Sequence, residues 1–233
     1  MTEAIILAGG LGTRLREVVA DLPKPMAPVR GEPFLAHLMR YWKGQGVTHF
    51  VLSISYLREK IIEAFGDSFE GIPITYAIED TPLGTGGGLL ISVAQLKTEA
   101  PFLLLNGDTY FDVKLGELSA FHTEKKSDWT FSLFKPEEAG RYLSIPLDAD
   151  GKILDLKPET KEAGGYANGG VYMINPQILA PCGYQEGDKL SLEDDLLPVL
   201  QRQNRLFYGR LHKGTFIDIG IPHDYSRADS VLA

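Results

Sequence analysis

The chain has 233 residues, of which 23 are lysine or arginine and 31 are aspartate or glutamate, giving a net charge of −8. This acidic balance excludes a general role on nucleic acid or on an anionic membrane surface, so any anion site must be local. Cys182 is the single cysteine, which excludes a disulfide framework or a thiolate metal site within one chain. No apolar run approaches about 18 residues and no leader pattern precedes the first strand, so we expect a cytoplasmic protein without a membrane partner.

The first predicted element is a strand that leads into a glycine-rich turn. Residues 4–8 form an unbroken apolar run, which is typical of a strand buried on both faces of a parallel sheet. Gly9, Gly10 and Gly12 allow a tight turn that brings backbone N–H groups close to a ligand, and Arg14 follows. Amides and a guanidinium together suit a phosphate group, as at other helix starts.

Two common phosphate loops do not match this turn. The dinucleotide-binding fingerprint requires a third glycine, and Leu15 occupies that position. A P-loop requires Gly-Lys followed by Ser or Thr, which is absent after Gly10. The turn therefore indicates a phosphate ligand of another class.

The rest of the chain alternates strands and helices, which favours right-handed parallel crossovers. We predict a single α/β domain over 1–233, with a Rossmann-like, mostly parallel central sheet flanked by helices and a small antiparallel part. Strands are predicted over 50–54, 74–78, 101–105 and 129–134, and a hairpin pairs 140–145 with 152–156. Helices are predicted over 33–46, 56–65, 89–96, 191–203 and 225–231, with 79–88 as a glycine-rich turn before the third. Ser191 is predicted to cap the fourth, and the acids Glu193, Asp194 and Asp195 are interpreted as part of its start.

Several motifs together resemble the signature of the sugar-nucleotide pyrophosphorylases, the nucleotidyltransferases that join a nucleoside triphosphate to a sugar 1-phosphate. The resemblance rests on Gly9-Gly10-Leu11-Gly12-Thr13-Arg14-Leu15, Pro23-Lys24-Pro25, Pro82-Leu83-Gly84-Thr85, Asn106-Gly107-Asp108, Lys157-Pro158, Asn168-Gly169-Gly170 and Phe216-Ile217-Asp218-Ile219-Gly220. It covers nearly the whole chain. It implies a nucleotide-binding half over about 1–112 and a sugar-phosphate half over about 113–233.

The resemblance also implies residue roles on the nucleotide side. The nucleotide-binding residues would be Leu7, Ala8, Gly9, Gly10, Gly12, Thr13, Arg14, Lys24, Leu83, Gly84, Thr85, Gly86 and Gly87. The catalytic residues would be Arg14, Lys24, Asp108 and Asp218, and the two aspartates would together hold Mg²⁺. From the residues alone, Asp108 after a buried strand fits either a cation ligand or a turn aspartate, and Asp112 is the nearby alternative ligand.

On the sugar-phosphate side the resemblance implies Asn106, Gly107, Tyr142, Lys157, Asn168 and Gly169. Two positions depart from the family's pattern: Leu156 stands where a glutamate is common, and Leu143 where a glycine is common. Both positions belong to the sugar side, so the departures leave the identity of the sugar undetermined.

The implied reaction is Mg²⁺-dependent transfer of a nucleotidyl group from a nucleoside triphosphate to a sugar 1-phosphate. The amino-acid sequences of the motifs look most like those of the family branch that uses GTP and D-glycero-α-D-manno-heptose 1-phosphate for bacterial surface polysaccharide. Mannose 1-phosphate with GTP, or N-acetylmuramate 1-phosphate with UTP, are alternatives. A non-catalytic sugar-nucleotide sensor is an alternative of another class, and homo-oligomers are common in the family.

Overall fold

A mixed central sheet organises the fold in the computed structural model, which describes residues 1–10, 21–136, 141–156 and 165–232. The helices are α1 (Phe34–Gly44), α2 (Arg58–Phe65), α3 (Gly84–Val93), α4 (Leu115–Glu124), α5 (Leu197–Arg202) and α6 (Pro222–Val231). The strands are β1 (Thr2–Leu7), β2 (Pro28–Val29), β3 (Glu32–Pro33), β4 (Val47–Ile54), β5 (Ser68–Phe69), β6 (Ile72–Ile78), β7 (Phe102–Asn106), β8 (Thr109–Phe111), β9 (Trp129–Phe134), β10 (Ala167–Ile174), β11 (Phe207–Leu211) and β12 (Phe216–Asp218).

Among the described residues, eight strands form the main sheet in the order β11-β9-β10-β7-β1-β4-β6-β5. β1 is parallel to both of its neighbours, β4 and β7, and β10 is antiparallel to β7 and β9. The chain runs from β1 outward to β4 and β6 and then returns through α3 to β7 on the other side of β1. This reversal opens a crevice at the carboxyl ends of β1 and β7, the usual ligand position in open α/β sheets.

The core lies on both faces of the sheet because successive side chains of a strand point to opposite sides. Ala4 and Ile6 of β1 pack in one buried cluster with α1, α2 and α4, whereas Ile5 packs in a second cluster with α3 and α5. Both clusters need apolar residues in the same strand, which explains why β1 has no polar–apolar alternation. The predicted α/β class and mostly parallel sheet are confirmed.

Three predicted elements differ from those observed. α3 begins at Gly84, within the segment predicted as a turn, because the glycines of its first turns allow close packing against the chain near Leu190. The segment around the turn at 148–151 forms one antiparallel bridge, Leu147 to Ile153, instead of a hairpin of two strands. The helix that follows Ser191 begins with a π-helical turn (Leu192–Leu196) before α5, although Ser191 caps it as predicted.

Short accessory sheets attach the carboxyl-terminal part to the crevice. β12 pairs antiparallel with β8, which places Asp218 opposite Thr109. α6 packs on β12 through a small third cluster that includes Ile217 and Ala228. None of the helices in the described part of the chain has both the length and the apolar character needed to cross a membrane.

Candidate active site

One cation and two carboxylates meet at the crevice, and each comes from a different segment. Lys24 lies in a 3-10 turn between Pro23 and Pro25, in which the Met26 amide donates to the Pro23 carbonyl at 2.8 Å. Its ammonium forms an ion pair with the carboxylate of Asp108 and lies 3.7 Å from an oxygen of Asp218. The three groups form a charged centre with a net charge of −1.

Backbone contacts fix the two aspartates relative to each other. The carbonyl of Asp108, in the turn between β7 and β8, accepts a hydrogen bond from the amide of Ile219 at 3.0 Å. The Gly220 amide donates to the Asp218 carboxylate at 2.8 Å. A Cβ at Gly220 would lie 2.0 Å from the Lys24 ammonium nitrogen, so only glycine leaves room for this arrangement.

Burial raises the pKa of Asp218, and the nearby negative charge of Asp108 acts in the same direction. The ammonium of Lys24 and the Gly220 amide oppose this rise in pKa. A partly buried pair of carboxylates favours a cation, because each charge is costly without a partner. The centre therefore has the electrostatic character of a cation site, and its oxygen ligands are those that Mg²⁺ prefers.

A cavity of about 360 Å³ opens beside this centre. Its walls are formed by Leu7, Gly9, Gly10, Lys24, Pro25, Ser53, Glu79, Pro82, Gly84, Thr85, Asn106, Asp108 and Glu193. The cavity lies at the carboxyl ends of β1, β4, β6 and β7 and reaches the amino end of α3. Six of these residues are glycine, proline or leucine, and the other seven have polar or charged side chains. Polar groups that converge on a concave wall are typical of small-molecule sites.

Glu79 is a buried carboxylate in the wall of this cavity that sequence reasoning missed. The Ser53 hydroxyl donates to one of its oxygens at 2.9 Å, and the Leu83 amide donates to the other at 2.8 Å. A carboxylate has about four acceptor positions, so two remain for a ligand that offers hydrogen-bond donors. The available signal was its place directly after β6, where side chains reach the ligand crevice.

Glu193 was interpreted from the sequence as part of a helix start, and it also lines the cavity. Its carboxylate accepts a hydrogen bond from the Thr85 hydroxyl at 3.3 Å, and the Leu192 amide donates to that hydroxyl at 2.9 Å. These contacts join the start of α3 to the π-helical turn across one wall of the cavity. The sequence offered no signal for this pairing, since the partners are 108 positions apart.

Comparison with known proteins identifies the class of molecule that has this geometry. A model of the family described as nucleotidyl transferase matches residues 3–233. The chain belongs to the nucleotidyl transferase family.

Individual relatives cover the chain almost completely. It is 41% identical over 230 residues to D-glycero-alpha-D-manno-heptose 1-phosphate guanylyltransferase of Aneurinibacillus thermoaerophilus, with 99% of this chain and 98% of the relative covered. It is 38% identical over 225 residues to the Campylobacter jejuni protein of the same description, with 96% of each covered. The crystal structure of HddC from Yersinia pseudotuberculosis complexed with GMP-PN aligns at a TM-score of 0.86 and 35% identity, with 100% of both chains covered.

The predicted nucleotide residues of this nucleotidyl transferase divide into three groups. Leu7, Gly9, Gly10, Lys24, Gly84 and Thr85 line the cavity. Ala8 is buried behind it, and the amides of Gly86 and Gly87 donate to the Leu190 carbonyl, so neither amide is free for a ligand. Leu83 packs against the second core cluster. Gly12, Thr13 and Arg14 lie outside the described residues.

Of the residues predicted for the sugar phosphate, the structure describes Asn106, Gly107, Tyr142, Asn168 and Gly169. Asn106 lines the cavity, and Gly107 packs so tightly on β1 that a Cβ would lie 2.6 Å from the Leu7 carbonyl oxygen. Gly169 is buried against Phe111. The Asn168 amide donates to the Tyr172 hydroxyl at 2.7 Å.

The remaining predicted site residues are Tyr142 and Lys157, together with Asp112, the alternative metal ligand. Tyr142 belongs to an aromatic cluster with Phe134 and Phe216. Lys157 lies outside the described residues. Asp112, the alternative metal ligand, instead accepts hydrogen bonds from the Tyr41 hydroxyl at 2.7 Å and from Lys114 at 2.9 Å. Hydrogen bonds from Lys114 and Tyr41 lower the pKa of Asp112. Asp108 lines the cavity and pairs with Lys24, whereas Asp112 is not among the described lining residues, which favours Asp108 over Asp112 as the ligand.

Proposed function

We propose that the chain transfers a guanylyl group from GTP to D-glycero-α-D-manno-heptose 1-phosphate, releasing pyrophosphate and forming GDP-heptose for surface polysaccharide. The observation that carries this proposal is the meeting of Lys24, Asp108 and Asp218 beside a cavity that Gly9 and Gly10 line. The choice of GTP and heptose is supported by two relatives of that description at 41% and 38% identity over nearly their full length.

The reaction is a direct displacement at the α-phosphorus of GTP. An oxygen of the sugar 1-phosphate forms the new phosphorus–oxygen bond, while the bond to the β-phosphate breaks and its electron pair leaves with pyrophosphate. A phosphate monoester has a second pKa of about 6, so the attacking group is already largely dianionic at neutral pH. No general base is required, and catalysis consists of positioning and charge stabilisation.

Lys24 is well placed to supply part of that stabilisation. Its side chain is only 15% exposed, and the two flanking prolines restrict the backbone that carries it. A cation held in a fixed position needs little reorganisation as negative charge moves toward the leaving oxygen. We assign Lys24 to the α-phosphate. We assign Arg14 to the triphosphate tail and Lys157 to the sugar phosphate.

Asp108 and Asp218 would hold a divalent cation, which we propose is Mg²⁺. Mg²⁺ usually binds through one or two carboxylates together with substrate phosphates, and these two carboxylates already share one cationic partner. When bound, the ion would neutralise phosphate charge on both reactants. The hydrogen bonds of the Asp108 carbonyl and the Gly220 amide help to hold both carboxylates beside Lys24.

Glu79 supports guanine as the base. Guanine presents an N–H and an NH₂ donor on one edge, whereas an ionised carboxylate is an acceptor only. Adenine offers a ring acceptor at the equivalent edge, which a carboxylate would repel. A buried Glu79 with two unfilled acceptor positions therefore favours GTP over ATP.

The two-part organisation of the chain stays a prediction that the cavity supports. Among the described residues, every one that lines it precedes position 112 except Glu193. The part after position 112 supplies Asp218 and the aromatic cluster around Tyr142, which would face the sugar phosphate. A cytoplasmic location and a homo-oligomeric state also remain predictions.

The test is a matrix of pyrophosphate release with Mg²⁺. GTP, UTP, dTTP, CTP and ATP are each paired with heptose, mannose, glucose and N-acetylmuramate 1-phosphates. We expect one strong combination, GTP with the heptose phosphate. A strong signal for GTP with mannose 1-phosphate, or for UTP with N-acetylmuramate 1-phosphate, would support the same mechanism with a different substrate specificity. No release in any combination would favour the non-catalytic sensor.

A further inference from the structure

A buried tyrosine lies in the middle of β10, a strand next to β7 in the main sheet. Tyr172 is 1% exposed, and its ring packs edge-on against Phe131 and Trp129 with ring centroids 5.0 Å and 5.9 Å apart. On either side of the strand it pairs with Leu104 of β7 and with Phe131 of β9. Close packing on all sides holds the ring, and therefore its hydroxyl, in one position.

β10 is irregular just before this tyrosine. Its pairing with β9 changes register between Asn168 and Tyr172, and Gly170 has a φ of +69°, in the left-handed region that favours glycine. The Gly170 amide donates to the side-chain oxygen of Asn168 at 3.0 Å. A Cβ at Gly170 would lie 2.8 Å from the Nδ2 atom of Asn106, which lines the cavity beside the charged centre. The irregular segment thus brings the side chains of Asn168 and Asn106 to the same glycine.

Two partners fix the orientation of the Asn168 amide. The backbone N–H of Gly170 can only donate, so the atom that faces it is Oδ1, and Nδ2 faces the Tyr172 hydroxyl. Nδ2 donates to that hydroxyl at 2.7 Å. Within the described part of the chain, no acceptor binds the second hydrogen of Nδ2. Asn168 is partly exposed in an otherwise buried strand, so it offers this N–H to a ligand in a fixed direction.

Electrostatics place the Tyr172 hydroxyl behind the wall of the cavity. Burial raises the pKa of Tyr172, and the negative charges of Glu193 and Asp108 act in the same direction. Both carboxylates line the cavity. The hydroxyl therefore stays neutral and lies within electrostatic range of two charged groups of the site.

We propose that Tyr172 is a positioning residue that holds the Asn168 amide so that its free N–H donates to an oxygen of the sugar 1-phosphate. This inference rests on the proposed function, because the role of Asn168 at the sugar 1-phosphate is itself a prediction. Without the Tyr172 hydroxyl, the amide loses one of its two fixed partners and turns about its terminal bond. The N–H then reaches the substrate in only part of the molecules, and a group that is not preorganised binds more weakly.

The experiment begins with Tyr172→Phe, which removes the hydroxyl and keeps the ring with its aromatic contacts. We expect the KM for D-glycero-α-D-manno-heptose 1-phosphate to rise about fivefold or more, the scale of one hydrogen bond, and the KM for GTP to stay within about twofold. A tyrosine that only stabilised the core would change both KM values together.

A double-mutant cycle tests whether Tyr172 acts through the amide. Asn168→Ala should raise the KM for the sugar phosphate at least as much as Tyr172→Phe does. Adding Tyr172→Phe to Asn168→Ala should change that KM by less than about twofold, because the group that it positions is already absent. Tyr76→Phe is the matched control: its hydroxyl donates to the Gly66 carbonyl at 2.5 Å, and Tyr76 is not among the described residues that line the cavity. This control should keep both KM values.

The side-chain NH₂ resonance of Asn168 in ¹⁵N-labelled protein tests the same contact without turnover. Asn168→Ala identifies the resonance by its loss. With Mg²⁺ and a non-hydrolysable GTP analogue, adding the heptose 1-phosphate should shift the resonance in the wild-type chain. Tyr172→Phe should move the resonance before the sugar phosphate is added and reduce the shift that follows.

Additive effects of the two substitutions on KM would overturn the inference, as would a resonance that does not respond to the sugar phosphate. The failure of the proposed function would differ. Absence of turnover in the wild-type chain, together with the expected shifts of the Asn168 resonance, would overturn the reaction and retain the role of Tyr172 in sugar-phosphate binding.

Discussion

The ammonium of Lys24 forms an ion pair with the carboxylate of Asp108, 84 residues later in the chain, and lies 3.7 Å from an oxygen of Asp218. One cation thus bridges the two carboxylates that we assign to a metal ion. This relationship would connect binding of the metal with the position of the lysine that we assign to the α-phosphate, since both cations are attracted to the same oxygens. Three of the predictions below depend on it.

Replacing Lys24 with alanine should reduce turnover by at least about 100-fold, since one preorganised charge at the reacting phosphate contributes on that scale. The measurement is pyrophosphate release at saturating GTP and sugar phosphate. Lys97→Ala, at an exposed lysine far along the chain, is the control for removal of a positive charge. Turnover near the wild-type level with a normal thermal melt would remove Lys24 from the mechanism.

The same lysine should weaken metal binding in the absence of nucleotide. Without its ammonium, Asp108 and Asp218 keep two negative charges that no other described residue neutralises by an ion pair, so Lys24→Met should bind Mn²⁺ about tenfold more tightly than wild type. The free Mn²⁺ signal in electron paramagnetic resonance measures this directly. Asp218→Asn in the same background should reverse the gain, and equal Mn²⁺ affinity in wild type and Lys24→Met would contradict the shared position.

Gly220→Ala tests the space that the centre requires. The added Cβ would lie 2.0 Å from the Lys24 nitrogen and 2.9 Å from an Asp218 oxygen, so the flexible lysine must move. We expect turnover to fall about tenfold or more, because small displacements of catalytic groups are costly, with little change in stability. Gly116→Ala, whose Cβ would meet nothing within 4 Å, is the matched control and should keep full activity.

Glu79→Gln tests the choice of base. A glutamine places an NH₂ donor where guanine offers donors, which removes one favourable hydrogen bond and introduces a repulsive pair. We expect the ratio of kcat/KM for GTP to that for ATP to fall by about 10-fold or more. The kcat/KM for the sugar phosphate should change less. An unchanged ratio would show that Glu79 supports the cavity wall through Ser53 and Leu83 without contacting the base.

The sequence predicted the parts of the fold that depend on local patterns. The apolar run of β1 and the helical spacing of α1 required no long-range information, and Trp129–Phe134 appears as the strand predicted. The predicted start of α3 was wrong, because glycine normally disfavours helices and the segment was therefore predicted as a turn. In the structure, contacts with Leu190 outweigh that preference.

The site residues also divide into those that a local motif predicts and those that depend on tertiary contacts. Lys24, Asp108 and Asp218 lie in motifs that can be recognised one at a time, and the structure brings them together. Glu79 and Glu193 lie in no such motif, and their role in the cavity depends on which strand ends and turns face each other. Tertiary contacts of that kind have no local pattern, so a single sequence does not predict them.

Glu3 gives a prediction about stability that is independent of the active site. Burial would raise the pKa of its carboxyl, but hydrogen bonds from the Lys97 and Thr98 amides, the Thr98 hydroxyl and His49 outweigh burial and lower it. An acid with a lowered pKa in the folded state contributes stability above its unfolded pKa and loses it as the pH falls through the folded value.

Glu3→Gln should therefore lower the free energy of unfolding by about 2 kcal/mol at pH 7, the scale of hydrogen bonds to a buried charge. The difference from wild type should shrink as the pH falls below about 4.3, the ordinary pKa of a glutamate, because the unfolded chain then gains the proton while the folded carboxyl is still ionised. Urea unfolding at a series of pH values measures both quantities. Glu70→Gln is the control, because its carboxylate pairs with Arg40 and Lys43 at the surface and should contribute much less at any pH. A difference that stays constant from pH 7 to pH 3 would mean that the shape of Glu3, and not its charge, stabilises this end of the sheet.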